Sequence, residues 1–195
     1  MIARIVTCPA RAASCAATIE QLASSDWEGE PIIHLDDGRA GLRVDRIDAT
    51  WRAALAAAAL DRTVSLILED DVMVSVHLHH NLERWEPIGA PALLGYLYGA
   101  SSPTRLAAGP AWVAVDPFGL WGAQGIVISP PMAAHVLTHW NDEDGAIDTR
   151  MPRLAARLGP VYLHTPSLVQ HVGTISTWGG PFHQAADFDP AWRAP

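Results

Sequence analysis

Leu68-Glu69-Asp70-Asp71-Val72 sets three carboxylates at the end of an apolar run, Val64-Ser65-Leu66-Ile67-Leu68. Adjacent carboxylates repel one another unless a cation or bound hydrogen-bond donors compensate. Such a run serves either as a solvated acidic turn or as a cation site, and its place at the end of a buried strand favours the second. Hard carboxylate oxygens suit Mg²⁺ or Mn²⁺, which bridge one or two protein acids to the phosphates of a nucleotide. Alternation along an extended chain predicts Glu69 and Asp71 on one side and Asp70 on the other, so that one acid faces metal while another reaches a ribose hydroxyl.

Other residues with chemical potential carry less. His77, His79 and His80 look like a metal tract, but a zinc site needs ligands that converge in space, and these are expected at the surface. Cys8 stands beside no base in the sequence, which argues against a nucleophilic role. Cys8 and Cys15 form neither a zinc motif nor a disulfide framework, and so favour a reducing compartment, with the cytoplasm as the default expectation. Neither a GxGxxG turn nor a Walker loop is present, which argues against a dinucleotide-binding dehydrogenase and a P-loop kinase. Phosphate would have to be handled by metal and arginine.

The elements that must position these residues alternate between strand and helix. Ile5-Val6 reads as a first strand that stops at Thr7-Cys8-Pro9, after which Ser14 is expected to cap a helix carrying Cys15, Ile19, Leu22 and Ala23. Pro31 to Leu35 reads as a second strand, ended by the turn-forming Asp36-Asp37-Gly38. Asp48 is expected to cap a helix with Trp51 and Leu55 on one face, and Val64 to Leu68 is a third, buried strand. Ala92 to Tyr98, Gly125 to Ser129 and Val161 to Leu163 read as later strands, and Met132 to Trp140 and Ile147 to Leu158 as helices. Gly99 to Leu120 reads as a long functional loop or irregular hairpin. The end of the chain, from Trp178, shows no periodicity. A βαβαβ start predicts an α/β fold with a mostly parallel central sheet, helices on both faces, and ligands at the carboxyl ends of the strands.

With these elements in place, the strand ending in Glu69-Asp70-Asp71-Val72 resembles the DxD-type motif of GT-A nucleotide-sugar glycosyltransferases. Ile5-Val6-Thr7-Cys8-Pro9-Ala10-Arg11 is similar to the opening strand and Thr-x-Pro-x-Arg turn of some of these enzymes. Trp121 to Ser129 resembles their acceptor-side segment, Asp148-Thr149-Arg150 follows, and Pro166-Ser167-Leu168-Val169-Gln170-His171 resembles a Pro-Ser-Leu-x-x-His segment of bacterial lipopolysaccharide-type transferases. The resemblance spans about residues 2–178. It implies one compact GT-A-like domain over 1–195, with a nucleotide-binding half at about 1–75 and an acceptor-side half at about 76–195.

The resemblance also implies roles. Asp71 would bind Mn²⁺ or Mg²⁺, with Glu69 in support and His171 as a further ligand; imidazole is independently a competent ligand for such metals. Thr7, Pro9 and Arg11 would line the nucleotide pocket, Asp70 would contact the ribose, and Asp36 would accept from a uracil N–H. For an inverting transfer a carboxylate must deprotonate the acceptor hydroxyl, and Asp148 is the choice, with Asp142, Glu143 and Asp144 as substitutes. Trp121 would stack on the sugar or acceptor and Gln124 would hydrogen-bond to it. The expected donor is a UDP-sugar and the favoured acceptor a glycan or lipid-linked saccharide. Two alternatives stand beside it: a phage-type transferase acting on a hydroxylated base in DNA, and a non-catalytic nucleotide-sugar binding module.

Composition bounds these readings. With 195 residues, 49% of them hydrophobic, the chain can bury a core without disulfides or structural metals. A formal charge of −8, from 21 acids and 13 arginines with no lysine, weighs against a nucleic-acid partner. The longest apolar run, Ala53 to Leu60, falls far short of the roughly 20 residues of a membrane span.

Overall fold

The computed structural model describes residues 1–36, 38, 42–100, 111–173 and 183–195. Strands β1 (Ile2–Thr7), β2 (Ile32–Leu35), β3 (Ser65–Glu69), β5 (Leu94–Tyr96), β6 (Trp112–Ala114), β7 (Gly125–Ile128) and β8 (Val161–His164) form a seven-stranded sheet in the order β2-β1-β3-β7-β5-β8-β6. Strands β4 (Val72–Val74) and β9 (Val169–His171) form a separate two-stranded sheet. The main helices are α1 (Ala12–Ala23), α2 (Arg43–Leu60), α3 (Leu78–Glu83), α4 (Pro130–Thr138) and α5 (Ile147–Ala155).

Period-two alternation in the strands builds two apolar cores. On β3, Ile67 faces the core shared by α2, α4 and α5, while Leu66 and Leu68 face the core shared by α1, α3 and the small sheet. On β7, Ile126 and Ile128 take the first side and Val127 the second. A central strand that is apolar on both faces needs cover on both, which is why the third run is unbroken by polar side chains other than Ser65.

The sheet is mixed, where a mostly parallel one was expected. β1, β2, β3, β5 and β8 run one way, but β7 is inserted antiparallel between β3 and β5, and β6 lies antiparallel on β8. The insertion matters for function because the start of β7 then lies at the same edge as the ends of β1, β3 and β5. Residues preceding Gly125 are thereby brought beside Glu69.

Two expected caps are also corrected. Ser14 lies within α1, which begins at Ala12 directly after a 3₁₀ turn over Pro9–Arg11. Asp48 lies inside α2, where its carboxylate accepts from Trp140 Nε1 at 3.0 Å and pairs with Arg150 at 2.9 Å, joining α2 to the α4–α5 region. Within the expected loop after Gly99, Trp112–Ala114 form the edge strand β6; 101–110 lie outside the described residues. The expected uracil-side turn is described at Asp36 and Gly38, while Asp37 lies outside. Cys8 and Cys15 are both free thiols.

Candidate active site at the carboxyl edge of the sheet

The acids stand where the third strand ends. Because β3 stops at Glu69, strand alternation does not extend through the next two residues, and Asp70 and Asp71 turn to the same partner. Arg11, carried at the end of the 3₁₀ turn after β1, places Nε 2.7 Å from Asp70 Oδ1 and its Nη2 against Asp71 Oδ2. The sequence expectation that Asp70 and Asp71 face opposite sides is therefore overturned. Thr7, the last residue of β1, donates its hydroxyl to Asp70 Oδ2 at 2.5 Å. Thr18 of α1 then fixes the exit from the acids, accepting from the Val72 N–H at 3.1 Å and donating to its carbonyl at 3.2 Å.

His171 arrives through the small sheet. The register pairs Val72 with His171, and the Val172 N–H donates to the Asp71 carbonyl at 2.9 Å. His171 Nε2 then lies 3.2 Å from Asp71 Oδ2, with both side chains buried. The sequence separation is 100 residues, and the pairing is made by two short antiparallel strands.

Glu69 points the other way, in keeping with its place on β3 beside Ile67. Its Oε2 accepts from Gln124 Nε2 at 3.2 Å, and its N–H donates to the Gln124 carbonyl at 3.0 Å. Loss of hydration, followed by the nearby Asp71 charge, raises its pKa to about 8. Burial, partly offset by the Thr7 hydrogen bond and Arg11, raises that of Asp70. For Asp71 burial acts upward, but the His171 hydrogen bond and Arg11 outweigh it and the pKa is lowered. His171 is the counterpart: burial opposes its protonation, and Asp71 overcomes that and raises its pKa.

Asp148 stands in the first turn of α5 and accepts from the Gly122 N–H at 3.1 Å. Gly122 has φ of +92°, a conformation that disfavours a side chain, and a Cβ there would meet Gln124 Oε1 at 2.6 Å. The turn before β7 thus links Trp121, Gln124, Asp148 and Glu69. Of the suggested substitutes for Asp148, Asp142 and Glu143 are engaged by Arg157, Asp142 also by His139.

The structure leaves two expected nucleotide contacts at the margin. Pro9 is exposed and serves to start the 3₁₀ turn. Asp36, at the end of β2, uses Oδ1 to accept from the Gly38 N–H at 2.8 Å and Oδ2 to meet Arg46 at 3.6 Å. The His77–His80 stretch is only partly exposed: His79 packs edge-on against Trp27, and His80 Nε2 lies 3.0 Å from the Ala194 carbonyl.

Two site residues were missed by sequence reading. The Tyr98 hydroxyl lies 2.5 Å from His183 Nδ1, and the His183 ring stacks on His171 and meets Trp121 edge-on. Tyr98 follows β5 at the carboxyl edge, so its place after a strand could have marked it. No local signal marks His183.

Among the described residues no group of three or more His, Cys, Asp or Glu side chains is arranged to hold a metal ion. The Asp71–His171 pair nonetheless fits a divalent cation whose other positions come from ligand oxygens and water. Asp71 Oδ1 is buried with no hydrogen-bond partner. Gly173 leaves the approach open: a Cβ there would run into Asp71 Oδ2 and stand 2.9 Å from His171 Nε2.

The sequence matches no protein-family model, and no curated protein matches it. Solved structures do resemble the fold. The galactosyltransferase LgtC in complex with donor and acceptor sugar analogues aligns with a TM-score of 0.53 at 14% identity, covering 91% of this chain and 89% of that one. An active-site mutant of LgtC gives 0.52 at 12% identity with the same coverage. Mouse xyloside xylosyltransferase 1, apo form, gives 0.49 at 9% identity, covering 80% of each chain. The mixed sheet flanked by helices is the GT-A fold. Among the described residues no helix is long and apolar enough to cross a membrane.

Proposed function

We propose that the protein is a glycosyltransferase that moves a sugar from a nucleoside diphosphate, UDP in the favoured case, to a hydroxyl acceptor on a glycan or lipid-linked saccharide. One observation carries the reading. A fold shared with a sugar transferase brings Thr7, Arg11, Asp70, Asp71 and His171, from three separate segments, to a single point at the carboxyl edge of the sheet.

On this reading Asp71 and His171 would hold Mn²⁺ or Mg²⁺, which when bound stabilises charge developing on the leaving diphosphate. Arg11 supplies a fork of donors suited to phosphate, and reaches it by releasing the acids it holds. Thr7 keeps Asp70 oriented for a ribose hydroxyl. Glu69, with a pKa of about 8, is chiefly protonated at pH 7 and presents a neutral carboxyl beside Gln124. On this reading Asp148 would serve as the base of an inverting transfer, its carboxylate accepting from the Gly122 N–H in the turn that carries Trp121 and Gln124. The two free thiols suit a reducing cytoplasm.

The DNA acceptor is the lesser reading: among the described residues Arg150 is paired with Asp48, and the formal charge of the chain is −8. Transfer of an isotope-labelled sugar, run with a panel of nucleotide-sugars and with or without Mn²⁺, tests the reading. Metal-dependent stabilisation by UDP together with labelled product is the expected result. Tight UDP-sugar binding without transfer would make the protein a binding module, and no stabilisation by any nucleotide would remove the assignment.

A further inference from the structure

Segment 183–195 has no periodicity, yet it is tied down along its length. Asn81, buried on α3, donates to the Trp192 carbonyl at 3.0 Å and accepts from the Ala194 N–H at 2.8 Å. The Val76 N–H donates to the Pro190 carbonyl at 2.9 Å, and the Ser167 hydroxyl to Asp187 at 2.7 Å. Gln170 grips Ala185 twice, accepting from its N–H at 2.9 Å and donating to its carbonyl at 3.0 Å. Side-chain amides committed to the main chain of a terminal segment define one register for it.

That register is felt at His171, the neighbour of Gln170. The His183 carbonyl lies 3.3 Å from His171 Nδ1, and the two rings stack with centroids 4.8 Å apart at 22°. A carbonyl only accepts, so Nδ1 carries a hydrogen, and Nε2, which in this structure donates to the Asp71 carboxylate, is the nitrogen that would face a cation. The His183 ring is held in turn by the Tyr98 hydroxyl at 2.5 Å and by the edge of Trp121, with centroids 4.9 Å apart.

We propose that His183 is a positioning residue and that segment 183–195 is a working part of the site: the His183 main-chain carbonyl holds His171 Nδ1 and the His183 ring stacks on the His171 ring, so that Nε2 faces the cation position beside Asp71. The proposal rests on the reading that this site takes a divalent cation with a nucleoside diphosphate. Outer partners of this kind are worth about 10–100-fold in metal affinity.

The test is Mn²⁺ titration in saturating UDP, with electron spin-echo detection of ¹⁴N coupled to the bound Mn²⁺. The wild type is expected to show nitrogen coupling that disappears in His171→Ala. His183→Ala keeps the main-chain carbonyl but removes the stacked ring, and is expected to weaken Mn²⁺ binding by about the lower end of that range, roughly tenfold, and to diminish the coupling while its circular dichroism stays that of the wild type. His183→Asn, whose amide oxygen can accept from Tyr98, recovers part of both signals, and Tyr98→Phe shows a smaller loss in the same direction. Wild-type Mn²⁺ affinity and coupling in His183→Ala overturn the proposal and leave the site reading standing. No Mn²⁺ uptake by the wild type with UDP overturns both. Should His183→Ala fail to fold, Tyr98→Phe decides, and unchanged affinity there overturns the proposal.

Discussion

Around Asp70 and Asp71 charge is met by charge, with Arg11 and His171 closing on the acids, whereas around Trp121, Gln124 and Asp148 the partners are rings, an amide and backbone N–H groups. The first side is buried and Trp121 on the second is 39% exposed. Ionic partners in low dielectric hold one geometry tightly, while an open aromatic face can accept different ligands at small cost. On the proposed function, the first would be a fixed donor side and the second an adaptable acceptor side.

The sharpest way to break the contrast is Asp71→Asn. Sugar transfer is expected to fall about 10³-fold, and the Mn²⁺-dependent thermal shift with UDP should vanish. Asp148→Asn retains an oxygen for the Gly122 N–H, so turnover should drop about 10²-fold while stabilisation by UDP stays at the wild-type level. Equal loss of both would mean the two sides do not act separately.

A control lies away from both sides. His164 is fully buried between Trp85 and Trp192, its Nδ1–H donating to the Pro166 carbonyl at 2.7 Å, and burial lowers its pKa from 6.5 to about 4. The fold favours the neutral ring, so the stability this contributes is complete above pH 6.5 and is lost as pH falls towards 4, by about 3 kcal/mol. Denaturant titrations at pH 7 and pH 4 measure it, and a His164→Gln variant should lose most of that pH dependence.

Gly173→Ala sharpens the donor side, since its Cβ would enter the space in front of Asp71 and His171. Mn²⁺ affinity in the presence of UDP should fall roughly tenfold; an unchanged titration would mean that the opening at Gly173 is not where the cation enters. The smallest effect is expected from Trp121→Ala, which should raise the acceptor KM several-fold, about 1 kcal/mol, and move the donor KM less, through the His183 ring that Trp121 touches.

The donor side was the more legible in sequence because its residues mark strand ends. Thr7 closes β1 and Glu69 closes β3, and an apolar run that stops at polar residues announces such an edge. What sequence could not supply was orientation after the strand ended, so Asp71 was grouped with Glu69 when it stands with Asp70. The acceptor side depends on β7 being inserted antiparallel, a long-range pairing with no local signature, and on Tyr98 and His183 meeting across 85 residues. The register of the last segment is set by Asn81 and Gln170, far from it along the chain, and so left no periodic trace.

Arg11 has one more consequence. Three consecutive acids suggest a corner that would repel a doubly charged anion, but Arg11 and His171 face Asp70 and Asp71, and Glu69 is mostly uncharged at pH 7. The negative field of the corner is therefore reduced. A diphosphate would meet a weaker like-signed field there than three bare acids would set up.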